Sequence, residues 1–407
     1  FRPETGWFGG ENLSSPGLGF LFGQQEQFGA SGANILDYAN EKGWIIDTVG
    51  LNTQFSNTYQ EHINVKAIVE PIKRFKINLD ANRMESLNTT MYFRPTENGG
   101  DPVRQNRTEQ GNFNMSILSI NTAFKDQNQI WQTFLDNRQA IAERLAEQEI
   151  EGPIQYDANG YPVGFGETSQ EVLIPSFIAA YTGKNIKTQS LTKFPKIPMP
   201  NWKITYDGLR NLKFLKKRVK RVSLTSGYSS VYTVGSYNRN LLYDEANAFQ
   251  YGLDDNIDFS GNFIPKYQIN QVNISEQFNP LIKVDVTLKN NMSLKTEFKK
   301  SRNLTLNIDN SQLLQENLRS YVIGMSYRVN DVKIFKGELS KSKIPRTLEA
   351  SFDVNYNYRK SLVRNIYDEG QQVNSGNKVL GFNVELKYTI NENLGCTFYF
   401  DRNSSEA

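Results

Sequence analysis

His62 and Cys396 are the single histidine and single cysteine of this 407-residue chain. That scarcity removes a disulfide framework, a Cys/His zinc site, and any triad or acid-base pair that needs a second imidazole. His62 reads as a strand-start residue and Cys396 as a small apolar side chain on a sheet face. Asp254, Asn256, Asp258 and Ser260 have the alternate spacing of a calcium loop. The loop pattern fails at two positions, because Phe259 stands where it needs glycine and Pro265 stands where it needs the bidentate glutamate. Asp244-Glu245 and Asp254-Asp255 are adjacent on extended chain, so their carboxylates point to opposite faces and make no catalytic pair. Gly17-Leu18-Gly19-Phe20-Leu21-Phe22-Gly23 has the wrong spacing for a dinucleotide-binding turn, and no strand precedes it. No catalytic residue, metal site or cofactor can be named from these residues.

The densest charged run is basic: Lys213, Lys216, Lys217, Arg218, Lys220 and Arg221. Only Phe214 interleaves as a stacking residue, and the whole chain balances 46 Lys+Arg against 43 Asp+Glu. That balance argues against nucleic acid as a partner. Two readings stay open for the run, a solvated turn and an inner-rim anchor for anionic lipid headgroups.

The elements that would carry these residues are mostly strands. The chain is polar on average, with mean hydropathy −0.55, yet holds 25 Phe, 20 Tyr and 4 Trp, a composition that suits strands and membrane interfaces. No apolar run reaches the roughly 18 residues of a transmembrane helix. Phe1 is neither a start residue nor the opening of a signal peptide, so the expectation is a chain that begins after processing or inside a larger protein.

Five segments are expected: a Gly-rich irregular segment over 1–58, strands over 59–125, a helical insertion over 126–152, an extended loop segment over 153–201, and a long-stranded wall over 202–407. In the second, alternation over 62–83 broken at Pro71 predicts a hairpin. A polar loop over 96–111 then leads to the alternating Phe113, Met115 and Ile117. The insertion rests on the stripe Ile130, Phe134, Ile141 and Leu145, stopped by Gly152-Pro153. Its apolar stripe should pack on protein, since its other face is charged.

In the wall, the even positions from Val272 to Leu288 and from Met292 to Ile308 keep one register. That predicts one hairpin closed at Asn290-Asn291, with no turn at Ser301-Arg302-Asn303 and a bulge at Pro280. Each arm spans roughly 60 Å at about 3.3 Å per residue, more than twice the apolar band of about 25 Å of an outer-membrane barrel. Alternating strands follow over 321–329, 348–358, 380–390 and 394–400, the last pair joined by the tight turn Asn391-Glu392-Asn393. With the Asn290-Asn291 turn periplasmic, alternation puts 207–218, 331–347 and 391–393 inside, and 235–262, 310–319 and 360–378 outside. The fold class expected is therefore all-β, an antiparallel transmembrane barrel wall with long strands, outer loops and one inserted helix. A soluble sandwich would alternate equally well, although strands this long are unusual for it. The lipid-facing residues of this wall are expected to be Tyr356, Tyr358, Leu380, Phe382, Val384, Leu386, Tyr388, Phe398 and Phe400, with Asn355, Asn357, Asn383, Glu385, Lys387 and Thr397 on the opposite face.

Six stretches together resemble the C-terminal region of the SprA/Sov family, the outer-membrane translocons of the type 9 secretion system in Bacteroidetes. They are Phe8-Gly-Gly-Glu-Asn-Leu-Ser-Ser-Pro-Gly-Leu-Gly-Phe-Leu-Phe-Gly23, Leu173-Ile-Pro-Ser-Phe-Ile-Ala-Ala-Tyr-Thr-Gly183, Pro200-Asn-Trp-Lys-Ile-Thr-Tyr-Asp-Gly-Leu209, Ser275-Glu-Gln-Phe-Asn-Pro-Leu-Ile282, Lys299-Lys-Ser-Arg-Asn-Leu-Thr-Leu306 and Tyr321-Val-Ile-Gly-Met-Ser-Tyr-Arg328. The resemblance implies an arc of one very large single-chain barrel of the outer membrane, multi-pass, exporting folded cargo through a wide lumen with a lateral opening. It implies as partners the remainder of the translocon chain, a PorV-type shuttle barrel, a periplasmic plug protein, secreted cargo proteins and outer-membrane lipid. It implies no catalytic residue and no cofactor. The terminus Asn403-Ser-Ser-Glu-Ala407 lacks the closing aromatic of barrel proteins, which favours an open arc needing further strands. A complete smaller barrel acting as a porin or nutrient receptor, and a cell-surface β-sandwich that binds a ligand, are the alternatives.

Overall fold

The computed structural model describes residues 54–94, 103–244, 248–250, 256–330, 332, 346–367, 371–391 and 393–406. The Gly-rich calls on 1–53 and the Asp254 call lie outside them. The chain divides into two compact units, residues 1–61 with 85–112, and residues 62–84 with 113–407.

Twelve strands form one sheet. In chain order they are β1 (Phe55–Ile72), β2 (Phe75–Arg94), β3 (Val103–Ser116), β4 (Asn201–Tyr206), β5 (Val219–Arg239), β6 (Tyr267–Gln268), β7 (Gln271–Leu288), β8 (Met292–Asn307), β9 (Gln312–Asn330), β10 (Thr347–Asn365), β11 (Gln371–Asn391) and β12 (Leu394–Glu406). The sheet order is β1-β2-β3-β5-β7-β8-β9-β10-β11-β12, with β4 bridging β2 and β5, and β6 on β5. The ladders from β7 to β12 are antiparallel, as are those of β5 with β7 and of β4 with β2 and β5. This is the all-β antiparallel fold that the alternation predicts.

The 62–83 hairpin is present, turning at Lys73-Arg74, where Arg74 takes φ 70°. The long hairpin of β7 and β8 closes at Asn290-Asn291, and Ser301, Arg302 and Asn303 lie within β8, each paired to β7. Between Phe278 and Ile282 the register shifts, so Pro280 marks a bulge as expected. The strands outrun their expected ends. The outer loops predicted over 310–319 and 360–378 are largely strand, because β9 starts at Gln312, β10 runs to Asn365 and β11 starts at Gln371. Likewise β3 begins inside the predicted 96–111 loop, β1 begins at Phe55, and β12 continues to Glu406 through Asn403, Ser404 and Ser405. Ladder bonds use only the backbone, so polar residues extend these strands once a neighbour is in place.

Two helices form a layer on part of one sheet face: α1 (Gln127–Glu149) and α2 (Gln170–Thr182). The Asp126 side chain accepts from Asn128 N at 3.0 Å and caps α1. Its stripe is buried as expected, through Ile130, Phe134, Ile141 and Leu145. α2 corrects the sequence reading, which made 153–201 an extended loop segment. Every residue of α2 except Glu171 is buried, so the helix is apolar on all sides and shows no stripe to find. Pro175 inside it deepened the misreading. The two helices meet at Phe134 and Phe177, ring centroids 6.3 Å apart. A second contact set gathers Ile141, Leu145, Tyr161, Phe165, Val172 and Phe263 into the core of the layer.

Candidate membrane interface

Register fixes which side chains share a face. One face carries the even residues of β7, β8 and β10, the odd residues of β9, and, as far as Gly376 where a bulge intervenes, the even residues of β11. That face has two zones. Toward the N-terminal end of β7, Val272, Ile274, Glu276 and Phe278 are buried beneath the helical layer. Toward the Asn290-Asn291 turn, the same face turns into an uncovered apolar band. It includes Ile282, Leu294, Ile323, Met325, Phe352 and Leu386, all exposed.

The band is staggered across the strands. In β2 and β4 it is Phe75 and Ile77 opposite Tyr206 and Ile204. In β12 it is Cys396, Phe398 and Phe400, and Arg402, opposite Phe382, follows on the same face. A stagger of this kind is what tilted strands produce. Phe298, Tyr321 and Tyr356 line one margin of the band as a row of rings, the first two stacked at 4.6 Å and the next pair 6.2 Å apart. Immediately beyond that row come Lys300, Arg319, Tyr358 and Lys378, mutually paired across the strands. From Tyr321 to Tyr327 the band measures roughly 20 Å along the strand, close to the height of about 25 Å of an outer-membrane barrel's apolar belt.

The opposite face is polar. Lys283 pairs with Asp285 at 3.0 Å, and Glu297 with Lys295 at 3.5 Å and Lys299 at 3.2 Å. Asn355, Asn357, Asn383, Glu385, Lys387 and Thr397 all fall on this face. A Cβ added to Gly381 would collide with Asn355 Oδ1 and Asn403 Oδ1, so polar side chains crowd this surface closely.

All nine residues expected to face lipid lie on the band face. Seven of them, Tyr356, Leu380, Phe382, Val384, Leu386, Phe398 and Phe400, belong to the band. Two are placed differently. Tyr358 sits in the charged row beyond the aromatic margin, opposite Arg319 and Lys378. Tyr388 is buried, and its hydroxyl donates to the Val332 carbonyl at 2.8 Å. Val332 is 56 residues away in sequence, so this contact leaves no local pattern.

Sequence reasoning missed the polar contacts that fix the helical layer to the sheet. Glu276 of β7 and Arg302 of β8 are cross-strand partners joined at 2.9 Å. Glu276 accepts from the Ser119 hydroxyl at 2.6 Å and from the Tyr228 hydroxyl at 3.1 Å. Arg302 donates to Thr122 Oγ1 at 3.0 Å and to Gln127 Oε1 at 3.3 Å. Gln315 of β9 donates to Gln127 at 2.9 Å, and Arg364 of β10 donates to Asn128 at 2.9 Å. Lys300 donates to the Ala123 carbonyl and lies 4.0 Å from the Phe124 ring centroid. Four strands thus grip the chain over 119–128. The available signal was Glu276, Lys300 and Arg302 at even positions of strands whose even residues are mainly apolar.

The basic run is exposed throughout and is not a simple turn. Lys213–Lys216 form one helical turn, α3, before β5 begins at Val219. Asp258 of the failed calcium loop accepts from the backbone N–H groups of Ser260 and Asn262 at 2.8 and 2.9 Å, which closes its own turn. Among the described residues no group of three His, Cys, Asp or Glu gathers to hold a metal. None of their helices is long and apolar enough to cross a membrane.

The fold and this surface define a mostly antiparallel β protein whose sheet is amphipathic, apolar in a band on one face and polar on the other. No family model and no curated protein matches the chain. A solved structure of OmpT, an outer membrane protein of Vibrio cholerae, aligns over 87% of this chain and 90% of its own, with 9% identity and a TM-score of 0.21.

Proposed function

We propose that residues 62–84 and 113–407 are a stretch of transmembrane wall in an outer-membrane channel that exports folded proteins. The observation that carries the membrane reading is the apolar band: uncovered on one face, edged by aromatic rings and then by charge, and backed by a polar face. In water such a band would expose far more contiguous apolar surface than a monomer keeps. In a bilayer it meets hydrocarbon, while the polar face lines the aqueous lumen. The strands extend well past the band, and the helical layer docks on that extension, where its charged outer face stays in water.

The export reading rests on the resemblance to the SprA/Sov translocons. It brings the remainder of a larger chain as the source of further strands, and a PorV-type shuttle barrel, a periplasmic plug and cargo as partners. A further feature favours a wall segment over a small complete porin. All thirteen residues of β12 are exposed, at one end of the strand order, and an open edge in hydrocarbon needs another strand to satisfy its backbone.

Depletion of the protein in its native host tests this. Folded cargo should accumulate in the periplasm while small-solute uptake continues. Loss of solute uptake with cargo export intact would establish the porin alternative instead.

A further inference from the structure

Three separate turns meet at the end of the sheet below the band. Asp207 N donates to the Arg74 carbonyl at 3.0 Å, and Arg74 Nη1 donates to Asn211 Oδ1 at 3.4 Å, which ties the β1–β2 turn to the β4–β5 connection. Lys289 N donates to the Arg218 carbonyl at 3.1 Å, which ties the same connection to the β7–β8 turn. Segments 73–74, 207–221 and residue 289 together carry ten Lys and Arg and one acid, Asp207. That acid lies 3.6 Å from Arg221, which leaves the other cations of this rim without a carboxylate from these segments. Lys213, Lys216, Lys217 and Lys220 are exposed. On either side of Lys213, Leu212 and Phe214 are exposed too, Phe214 by 71%. Directly inward on the band face is an aromatic pair, Phe75 and Tyr206, with centroids 5.8 Å apart.

We infer that this rim binds the phosphates of anionic lipid headgroups, with Phe214 and Leu212 reaching into the acyl boundary. The inference rests on the membrane-wall reading and adds a lipid preference to it. The order of chemistry along the strands is that of a bilayer leaflet: apolar band, interfacial aromatic pair, then clustered cations. A merely solvated turn explains the lysines but not two exposed apolar side chains among them. Lysines beside a membrane gain from anionic lipid, and aromatic insertion adds to this.

The test uses the full chain reconstituted into nanodiscs of phosphatidylethanolamine with a minority of phosphatidylglycerol, reading the phosphatidylglycerol retained around the protein by native mass spectrometry. K213Q/K216Q/K217Q should lose retention by about fivefold for each lysine removed at low salt, and Phe214→Ser should weaken it further. K283Q/K295Q/K299Q, which removes the same charge from the polar face, should leave it unchanged. Equal loss in both triple variants, or no loss in either, would overturn the inference. Complete competition by inorganic phosphate would do so as well, by assigning the rim to free anions. Insertion of each variant is scored by resistance to carbonate extraction. A wild-type chain that inserts normally and shows no preference for phosphatidylglycerol removes this inference alone, whereas a wild-type chain that never inserts removes the wall.

Discussion

Glu276 and Arg302 face each other across β7 and β8 at 2.9 Å, each side chain 2% exposed, at the point where the sheet is covered by the segment leading into α1. Two charges held this far from water are tolerated because each is also hydrogen-bonded: Glu276 by Ser119 and Tyr228, Arg302 by Thr122 and Gln127. The pair therefore belongs as much to the helical layer as to the strands.

Removing one member should be worse than removing both. Arg302→Ala leaves Glu276 charged and buried, at a cost of about 3–5 kcal/mol. The double variant Glu276→Gln with Arg302→Met should cost distinctly less than the single changes summed. Limited proteolysis within 119–200 under rising urea reads the release of the helical layer. Strict additivity of the two substitutions would show that the pair does not couple.

Alkaline pH should loosen the same layer. Burial pushes the Tyr181 hydroxyl well above its ordinary range, and nearby Arg364 and Arg302 only partly offset it. The folded protein keeps a proton there that the unfolded chain releases above about pH 10. Stability from this group is complete below that pH and declines as pH rises past it. Tyr181→Phe should make the alkaline decline shallower by one proton, measured as the slope of the urea midpoint against pH. Identical slopes in the two proteins would contradict the assignment.

Neighbouring positions of β11 should differ sharply in tolerance to charge. Leu386 lies in the band and Glu385 and Lys387 on the opposite face. Leu386→Arg should cost roughly 2–4 kcal/mol if it falls near the bilayer midplane, while Glu385→Lys and Lys387→Glu cost little. The yield of heat-stable, membrane-inserted protein is the readout. Equal tolerance at 385 and 386 would show that neither face meets hydrocarbon.

The alternation in β7 to β12 was legible because each strand has a period of two and the β7–β8 and β11–β12 pairs close at tight Asn turns, both of them local signals. So were α1 and the bulge at Pro280. α2 was hidden because it is buried all round, and a helix with no polar face carries no helical period. The ends of β3, β9, β11 and β12 were misjudged because polar residues there are held by ladder partners rather than by their own propensity. The division of one face into a covered zone and an open band could not be read from the strands, since Ile274 and Ile323 look alike until the helical layer covers one and not the other.

In a barrel wall the band meets lipid and the opposite face meets water. A cysteine-accessibility scan over 380–387, in a Cys396→Ser background and in membranes of the assembled protein, tests it most directly. Labelling by a water-soluble thiol reagent is expected at 383, 385 and 387, and protection at 380, 382, 384 and 386 that disappears in denaturant. Uniform labelling along the strand, or protection of the odd positions instead, would contradict it and the transport function that depends on it.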